Sequence, residues 1–472
     1  VVVYLVTLAR EVTLTDSGEL AAVAATLGIA HPPGYPLFTL LGWGMVHLVP
    51  VGTVVFRVGL VSALTAAATT LLIFRLALQL LPSSPPHPAS AQQSPYRGSA
   101  AVVGALGGSL LFAFARTPWS QAVVVEVYTL QALLTVLFLI ACARALQPGA
   151  LTSRTWPVAG LFAGLALTNH LTGVLLLPGL VATVVLGLPA ARSRVWTSVG
   201  RTALALVLPL LLYAYLPLRS LAGPAVSWAA IDTPQSFLVH VTARQYQGLW
   251  GSQGFRLGEL DRFVTRQLPA EATPLLVVLA VLGLVVLARR TPQFALVSGL
   301  SLVLMVGYNL GYPIHDIELY YIPALAILGL WAAVGAAAMG DAVARRHRGA
   351  GTGVAAILVL ACLVPLGLNW RANDRHDSRL IACVVRDTLS PLEPDAVLFT
   401  GRWDVLTSPA IYAQQVTGLR PDVVVIDLGQ LARPSLGATL EQAAPDLTSA
   451  CRAELEAVRE IALVAERGQP YD

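Results

Sequence analysis

Long apolar runs, repeated one after another with short basic connections, constrain this chain more than any other feature. A run of about 20 apolar residues crosses the hydrocarbon of a bilayer as a helix. Inside hydrocarbon every backbone N–H and C=O must find its partner within the protein, so such runs fold as helices packed on one another. The runs lie at about 1–9, 55–81, 100–115, 120–146, 156–169, 171–188, 202–218, 272–289, 293–310, 319–340 and 350–369. Composition agrees: of 472 residues, 56% are hydrophobic and 12% charged, whereas a soluble domain carries about 25% charged residues. The chain therefore reads as mainly α, a polytopic helical bundle of about eleven spans. The first run, Val1–Ala9, is too short to cross, and the chain begins without Met, so the natural N-terminus is expected upstream.

The positive charge is distributed in a way that orients the bundle. The net charge is +4, and many arginines sit between spans, which fits the positive-inside rule rather than nucleic-acid binding. Arg75 and Arg97, Arg144 and Arg154, Arg192 with Arg194 and Arg201, Arg289/Arg290, and Arg345/Arg346 with Arg348 all flank or fill loops. These loops share the cytoplasmic side only if the apolar stretch 36–49 does not cross and lies instead as an interfacial helix. The opposite side then holds 10–54, the 116–119 turn, the Asn169-His170 turn, the long loop 219–271, 311–318 and everything after about 370. Residues 82–99, rich in Pro and Ser, read as a cytoplasmic linker. After Trp370 the composition turns polar. Ala396–Thr400 and Val423–Asp427 read as strands, with a short helix at Pro409–Thr417 between them and an amphipathic helix at about 440–466 closing the domain. That is a β-α-β pattern, so the chain divides into a transmembrane domain at 1–370 and a small α/β domain at 371–472. Cys142 and Cys362 lie in spans as packing residues. Cys383 and Cys451 could pair, which spacing alone does not decide.

On the non-cytoplasmic side, just after the first run, lies the stretch Thr15-Asp16-Ser17-Gly18-Glu19 through His31-Pro32-Pro33-Gly34-Tyr35-Pro36. A helix beginning at Ser17 puts Asp16 at the N-cap and Glu19 three residues on, a capping-box variant in which both carboxylates serve orphan backbone N–H groups. Asp16 could combine capping with acid–base work, since a partly desolvated carboxylate gains basicity. The prolines of 31–36 make a corner between two interfacial helices, and His31 either only shapes that corner or faces the Asp16 pocket.

These residues carry a resemblance. An acidic motif in the first outer loop, a His-Pro-Pro corner, a surface helix and Arg57 before the next span resemble the GT-C superfamily of polytopic glycosyltransferases. The form DSGE…LGIAHPPGYPL is similar to the transmembrane protein O-mannosyltransferase family. Trp119-Ser120-Gln121, Glu126-Val127-Tyr128, Gly164–His170, Tyr215–Arg219, Trp228 and Val241–Tyr246 also look like family segments, as do Leu398–Thr400 and Gly418–Asp427. The tail loop that reads like GDND in the family is here Gly401-Arg402-Trp403-Asp404, keeping the last acid. The resemblance implies a GT-C-like bundle, a polyprenyl-phosphate sugar donor, mannose as the sugar, and a Ser/Thr hydroxyl of an exported protein as acceptor.

Within that frame Asp16 is the expected base, with Glu19 beside it. Arg219, after Pro217 at a span end, and Arg244, with Tyr246 following, are the expected phosphate ligands, because a guanidinium offers a bidentate, always-charged fork. His31, Tyr35, Glu126, Tyr128, His170, Tyr246, Asp316 and Glu318 are the expected pocket residues. Glu126 and Tyr128 are placed about two turns into a span, where an ionisable group is costly. For Glu126 the alternative is a hydrated acid near the interface, and for Asn169-His170 an ordinary turn. His315-Asp316-Ile317-Glu318 could bind a divalent cation, or be a hydrated loop, and no metal is assigned. With one base and no covalent partner, a single inverting displacement is expected. Two other classes stand against this reading. A lipid-linked transporter or flippase would want interrupted spans in paired halves, and a scaffold would merely present the tail.

Overall fold

The computed structural model describes residues 1–81, 99–147, 152–191, 195–346 and 350–431. Most of the expected linker, the closing helix at 440–466 and Cys451 lie outside these residues.

The chain opens with α1 (Val2–Thr7), α2 (Ser17–Thr26) and α3 (Pro36–Leu48), then the long α4 (Val54–Leu80). Next come α5 (Ser99–Ala113), α6 (Arg116–Ala122), α7 (Tyr128–Ala145) and α8 (Thr152–Asn169). A 3-10 turn at Leu171–Leu176 leads into α9 (Leu177–Ala191), and α10 (Val195–Val207) runs through a second such turn into α11 (Tyr215–Leu221). The loop beyond carries the short helices α12 (Pro234–Val241), α13 (Arg244–Gln247), α14 (Leu257–Arg262) and α15 (Leu268–Ala272). Then follow α16 (Pro274–Arg290), α17 (Pro292–Leu310), α18 (Ile322–Arg346) and α19 (Ala350–Asn373).

Among the described residues six helical stretches are long and apolar enough to cross a membrane, or eight if each of two bent pairs counts once. The six are 54–80, 128–145, 171–188, 195–221, 292–310 and 317–346. The bent pairs are α5 with α6, at 70°, and α14–α15 with α16, at 106°. The stretches expected at 1–9, 156–169 and 350–369 form α1, α8 and α19, which are not among them. The stretch at 36–49 forms the 13-residue α3.

At the centre stands α18, whose Ala332, Ala333, Ala336 and Ala337 are fully buried. Small side chains let helix backbones approach closely where no water drives association, and α18 packs against α5, α16, α4 and α7.

The tail folds as read from its pattern. After α20 (Leu380–Leu389), β1 (Val397–Thr400) leads through α21 (Ser408–Gln415) to β2 (Val424–Asp427) and α22 (Leu428–Leu431). The strands pair in parallel, Val397 opposite Val424 and Thr400 opposite Asp427. Helix α19 runs on to Asn373, past the boundary expected at 370. The tail sits directly on α2. A Cβ at Gly18 would lie 2.4 Å from the Ser408 carbonyl oxygen, so only glycine admits this approach of α21 to α2.

Candidate active site

Asp16 occupies the N-cap position of α2, yet its side chain makes no capping bond. The expected capping box is not what forms. The Glu19 N–H instead donates to Ser408 Oγ at 3.0 Å, so a hydroxyl from the tail serves as the cap. Both carboxylates are thereby released for other contacts. Glu19 Oε1 accepts the backbone N–H of His31 at 2.7 Å, and Oε2 meets the ring Nδ1 at 2.6 Å. The His31 Nε2 meets the Tyr35 hydroxyl at 2.8 Å and lies 3.8 Å from Asp16 Oδ2. The other Asp16 oxygen, Oδ1, accepts the indole N–H of Trp403 at 2.6 Å.

Local backbone shape makes this possible. The 31–36 corner contains a cis Pro32–Pro33 bond, and Gly34 has φ +94°. A Cβ at Gly34 would come within 2.8 Å of Leu216. Thr15, Tyr35 and Ala243 hold positive φ of 66°, 42° and 48°. For a β-branched threonine that conformation costs about 1–3 kcal/mol. All three border one cavity.

The cavity has a volume of about 570 Å³, within the usual range for a small-molecule site. Asp16, His31 and Tyr35 form one wall, and His170, Tyr246, Trp250, Tyr308, Tyr312 and Tyr320 supply aromatic surface. Asp316 enters from the 311–318 loop. The tail closes the remaining side with Gly401, Trp403 and Asp404 after β1, and Asp427 and Gly429 at the end of β2. Parallel α/β units commonly place ligands beyond the carboxyl ends of their strands, and both strand ends point here. His315 Nε2 lies 3.4 Å from Asp404 Oδ2, joining the bundle loop to the tail loop.

Burial raises the Asp16 pKa, and the neighbouring His31 charge opposes that rise. Burial disfavours the His31 cation, but Glu19 and Asp16 overcome it and lift the ring to about 9. His170 is pushed down to about 3 by burial and by His31, so its ring is neutral. Its Nδ1 accepts the Thr172 N–H at 3.2 Å.

Glu126 is not within a helix. It lies in the break between α6 and α7, 3% exposed, with Ser62 Oγ bonded to both its N–H and its C=O. A hydroxyl satisfying both backbone groups explains how the chain can be non-helical there. Glu126 does not border the cavity, and burial raises its pKa. Tyr128 opens α7 and packs against His170 and Tyr320 behind the wall. Glu318 is exposed and away from the cavity.

The two expected phosphate ligands are not brought together on the cavity wall. Arg219 donates to the carbonyls of Leu27 at 2.7 Å and Thr26 at 3.4 Å. These carbonyls end α2, so a cation there also complements the helix dipole. Arg244 is exposed, next to the cavity-lining Ala243.

This architecture matches solved structures. ArnT from Cupriavidus metallidurans in the apo state aligns over 95% of this chain and 93% of its own, with a TM-score of 0.58 at 15% identity. The same protein bound to undecaprenyl phosphate gives a TM-score of 0.55. The chain has a GT-C fold.

Sequence comparison agrees with that fold and narrows the likeness. The family described as "Protein O-mannosyl-transferase TMEM260 N-terminal domain" matches residues 16–191 of this chain. Protein O-mannosyl-transferase TMEM260 of Mus musculus is 26% identical over 449 residues, 90% of this chain and 61% of the mouse protein. The chain thus spans about three-fifths of that relative. The Dictyostelium discoideum protein O-mannosyl-transferase is 37% identical over 75 residues, 16% of this chain and 9% of its own. The chain resembles the GT-C protein O-mannosyltransferases along most of its length.

Asp16, Glu19 and His31 offer ligand atoms within 4.8 Å of one another, the spacing of a cation site. As they stand, each Glu19 oxygen accepts from His31, one Asp16 oxygen accepts from Trp403 and the His31 Nε2 meets the Tyr35 hydroxyl, so a cation here would compete with these bonds. Trp403, Asp404, Asp427, Trp250 and Tyr312 were not singled out as pocket residues from sequence. The legible signal for Asp427 was its place at the end of the second expected strand, and for Asp404 that it is the acid kept from the GDND-like loop after the first.

Proposed function

We propose that this protein is a membrane glycosyltransferase that moves a hexose from a polyprenyl phosphate to a hydroxyl group, with Asp16 as general base. The observation that carries the reading is the state of Asp16: one oxygen held by Trp403, the other beside the cavity, and a raised pKa. A carboxylate whose proton affinity is raised above the ordinary value suits the task of a general base. His31, at 3.8 Å, opposes the rise that burial imposes on the Asp16 pKa.

In the proposed step the donor sugar occupies the cavity and its lipid chain the bilayer. Asp16 Oδ2 accepts the acceptor's hydroxyl proton as the acceptor oxygen bonds to the anomeric carbon. The bond from that carbon to the phosphate oxygen breaks, and its electron pair leaves with the lipid phosphate. One displacement inverts the anomeric centre. Arg244 is the guanidinium we assign to the phosphate, because it is exposed beside the cavity and Arg219 is committed to α2. The polyprenyl phosphate is supported by the ArnT complex with undecaprenyl phosphate. Mannose and a protein hydroxyl are supported by the mouse relative's name.

The cavity is proposed to open on the non-cytoplasmic side. It is bordered by residues at the start of α18 and the ends of α8 and α17, whereas Arg144, Arg289, Arg290, Arg345 and Arg346 sit at the far ends of α7, α16 and α18. Arginine-rich ends favour the cytoplasm.

The test uses purified full chain in lipid nanodiscs with radiolabelled mannosyl polyprenyl phosphate and a Ser/Thr-containing peptide. Label should reach the peptide with wild type, and Asp16→Asn should lower the rate by roughly 100-fold or more while eluting as a folded monodisperse species. No transfer by wild type, or wild-type transfer by Asp16→Asn, overturns the proposal.

A further inference from the structure

We infer that Trp403 is the positioning residue for Asp16, so that the tail domain completes a site the membrane helices only half build. The inference rests on the reading of Asp16 as base and deepens it. The Trp403 indole N–H donates to Asp16 Oδ1 at 2.6 Å, across 387 positions of sequence. That bond fixes the rotation of the carboxylate and leaves Oδ2 as the oxygen available for a proton.

The indole is itself held. Trp228 meets it edge to face, with ring centroids 5.2 Å apart, and Trp228 lies 5.7 Å from the His31 ring. The Trp228 backbone N–H donates to the Ile29 carbonyl at 2.9 Å, tying this aromatic to the same corner that carries His31. On its own side Trp403 opens a π-helical turn, Trp403–Thr407. The N–H groups of Leu406 and Thr407 both reach the Arg402 carbonyl, at 3.0 and 3.1 Å. Such a widened turn re-aims a side chain and recurs at functional sites. The next residue, Asp404, reaches His315. The loop is therefore anchored on both sides of the indole, and Trp403 is the member that touches the base.

A hydrogen bond from a neutral donor to a carboxylate favours the ionised form. The groups that face Asp16 are Glu19 and His31, Asp404 from the tail loop, Glu126, and Asp316 with Tyr320; the Tyr35 hydroxyl is taken by His31. Trp403→Phe keeps a ring against Trp228 and leaves all of these in place while deleting the N–H.

The experiment compares wild type and Trp403→Phe for transfer across pH, with donor KM and kcat separated. The variant should lose roughly 10- to 100-fold in kcat, keep its donor KM, and move the acid limb of the kcat profile to higher pH. Infrared titration of the Asp16 carboxyl band, identified by its loss in Asp16→Asn, should show the same upward move without reference to turnover. A variant with wild-type kcat, or with reduced kcat and an unmoved limb, overturns the inference, as does an unmoved infrared titration. Absence of transfer by wild type would instead strike at the function proposed above, and the infrared arm would still decide the role of Trp403.

Discussion

Glu19 and His31 are bonded to each other twice, through the backbone N–H at 2.7 Å and the ring Nδ1 at 2.6 Å. A carboxylate that is 1% exposed thus has both oxygens engaged by one residue twelve positions away. This pair favours the charged His31 ring, and that charge opposes the burial-driven rise of the Asp16 pKa.

Glu19→Gln keeps the shape but removes the charge. It should destabilise the protein by about 1–3 kcal/mol and lower the His31 pKa. The measurement is the melting temperature by tryptophan fluorescence in detergent, alongside transfer activity. A variant melting like wild type would show that the pair carries no stability.

The same pair makes stability pH-dependent. The His31 pKa is raised from 6.5 to about 9 in the folded protein, so folding favours the protonated ring. Its contribution is complete below about 6.5 and is lost as pH rises through about 9. The melting temperature of wild type should fall across that window, and the fall should shrink in Glu19→Gln. A melting profile flat from pH 6 to 10 would contradict the assignment.

The two arginines expected to share one role should separate under mutation. Arg219→Ala removes hydrogen bonds to the carbonyls that end α2. It should lower stability by about 1–3 kcal/mol with the donor KM of the remaining folded protein little changed. Arg244→Ala, at an exposed position, should leave melting unchanged and raise the donor KM by roughly 10-fold. The opposite pattern would exchange the two roles.

Gly18→Ala tests the docking of the tail on α2. The new methyl would meet the Ser408 carbonyl oxygen at 2.4 Å, and Ser408 is also the residue that caps α2. Overpacking of this kind costs about 1–3 kcal/mol. Limited proteolysis should cut within 371–431 faster than in wild type, and transfer should drop because Trp403 leaves Asp16. An unchanged digestion pattern would mean that the contact yields without consequence.

Much of the fold was legible because it rests on local pattern. Apolar runs of span length could only be helices, and three of the six clear spans, 54–80, 171–188 and 292–310, match the expected stretches to within a residue, while 195–221 and 317–346 contain the shorter stretches expected there. The expected span at 120–146 is divided, since a break at 123–127 interrupts it and buries Glu126. Continuous hydropathy there concealed the break, because Ser62 stabilises it from another helix. The β-α-β tail was legible too, with both strands placed within a residue.

By itself the sequence determined which stretches are apolar helices, that Asp16 and Glu19 open a helix leading to the His31 corner, and which ends carry arginine. These are consequences of period, length and short-range turn chemistry. Tertiary structure alone decided what each side chain does there. It turned Glu19 from a cap into the partner of His31, because Ser408 supplied the cap, and it committed Arg219 to the end of α2. It also brought Trp403 onto Asp16. A hydrogen bond between residues hundreds of positions apart leaves no period in the chain, and only the packing of the tail on α2 brings the two groups within reach.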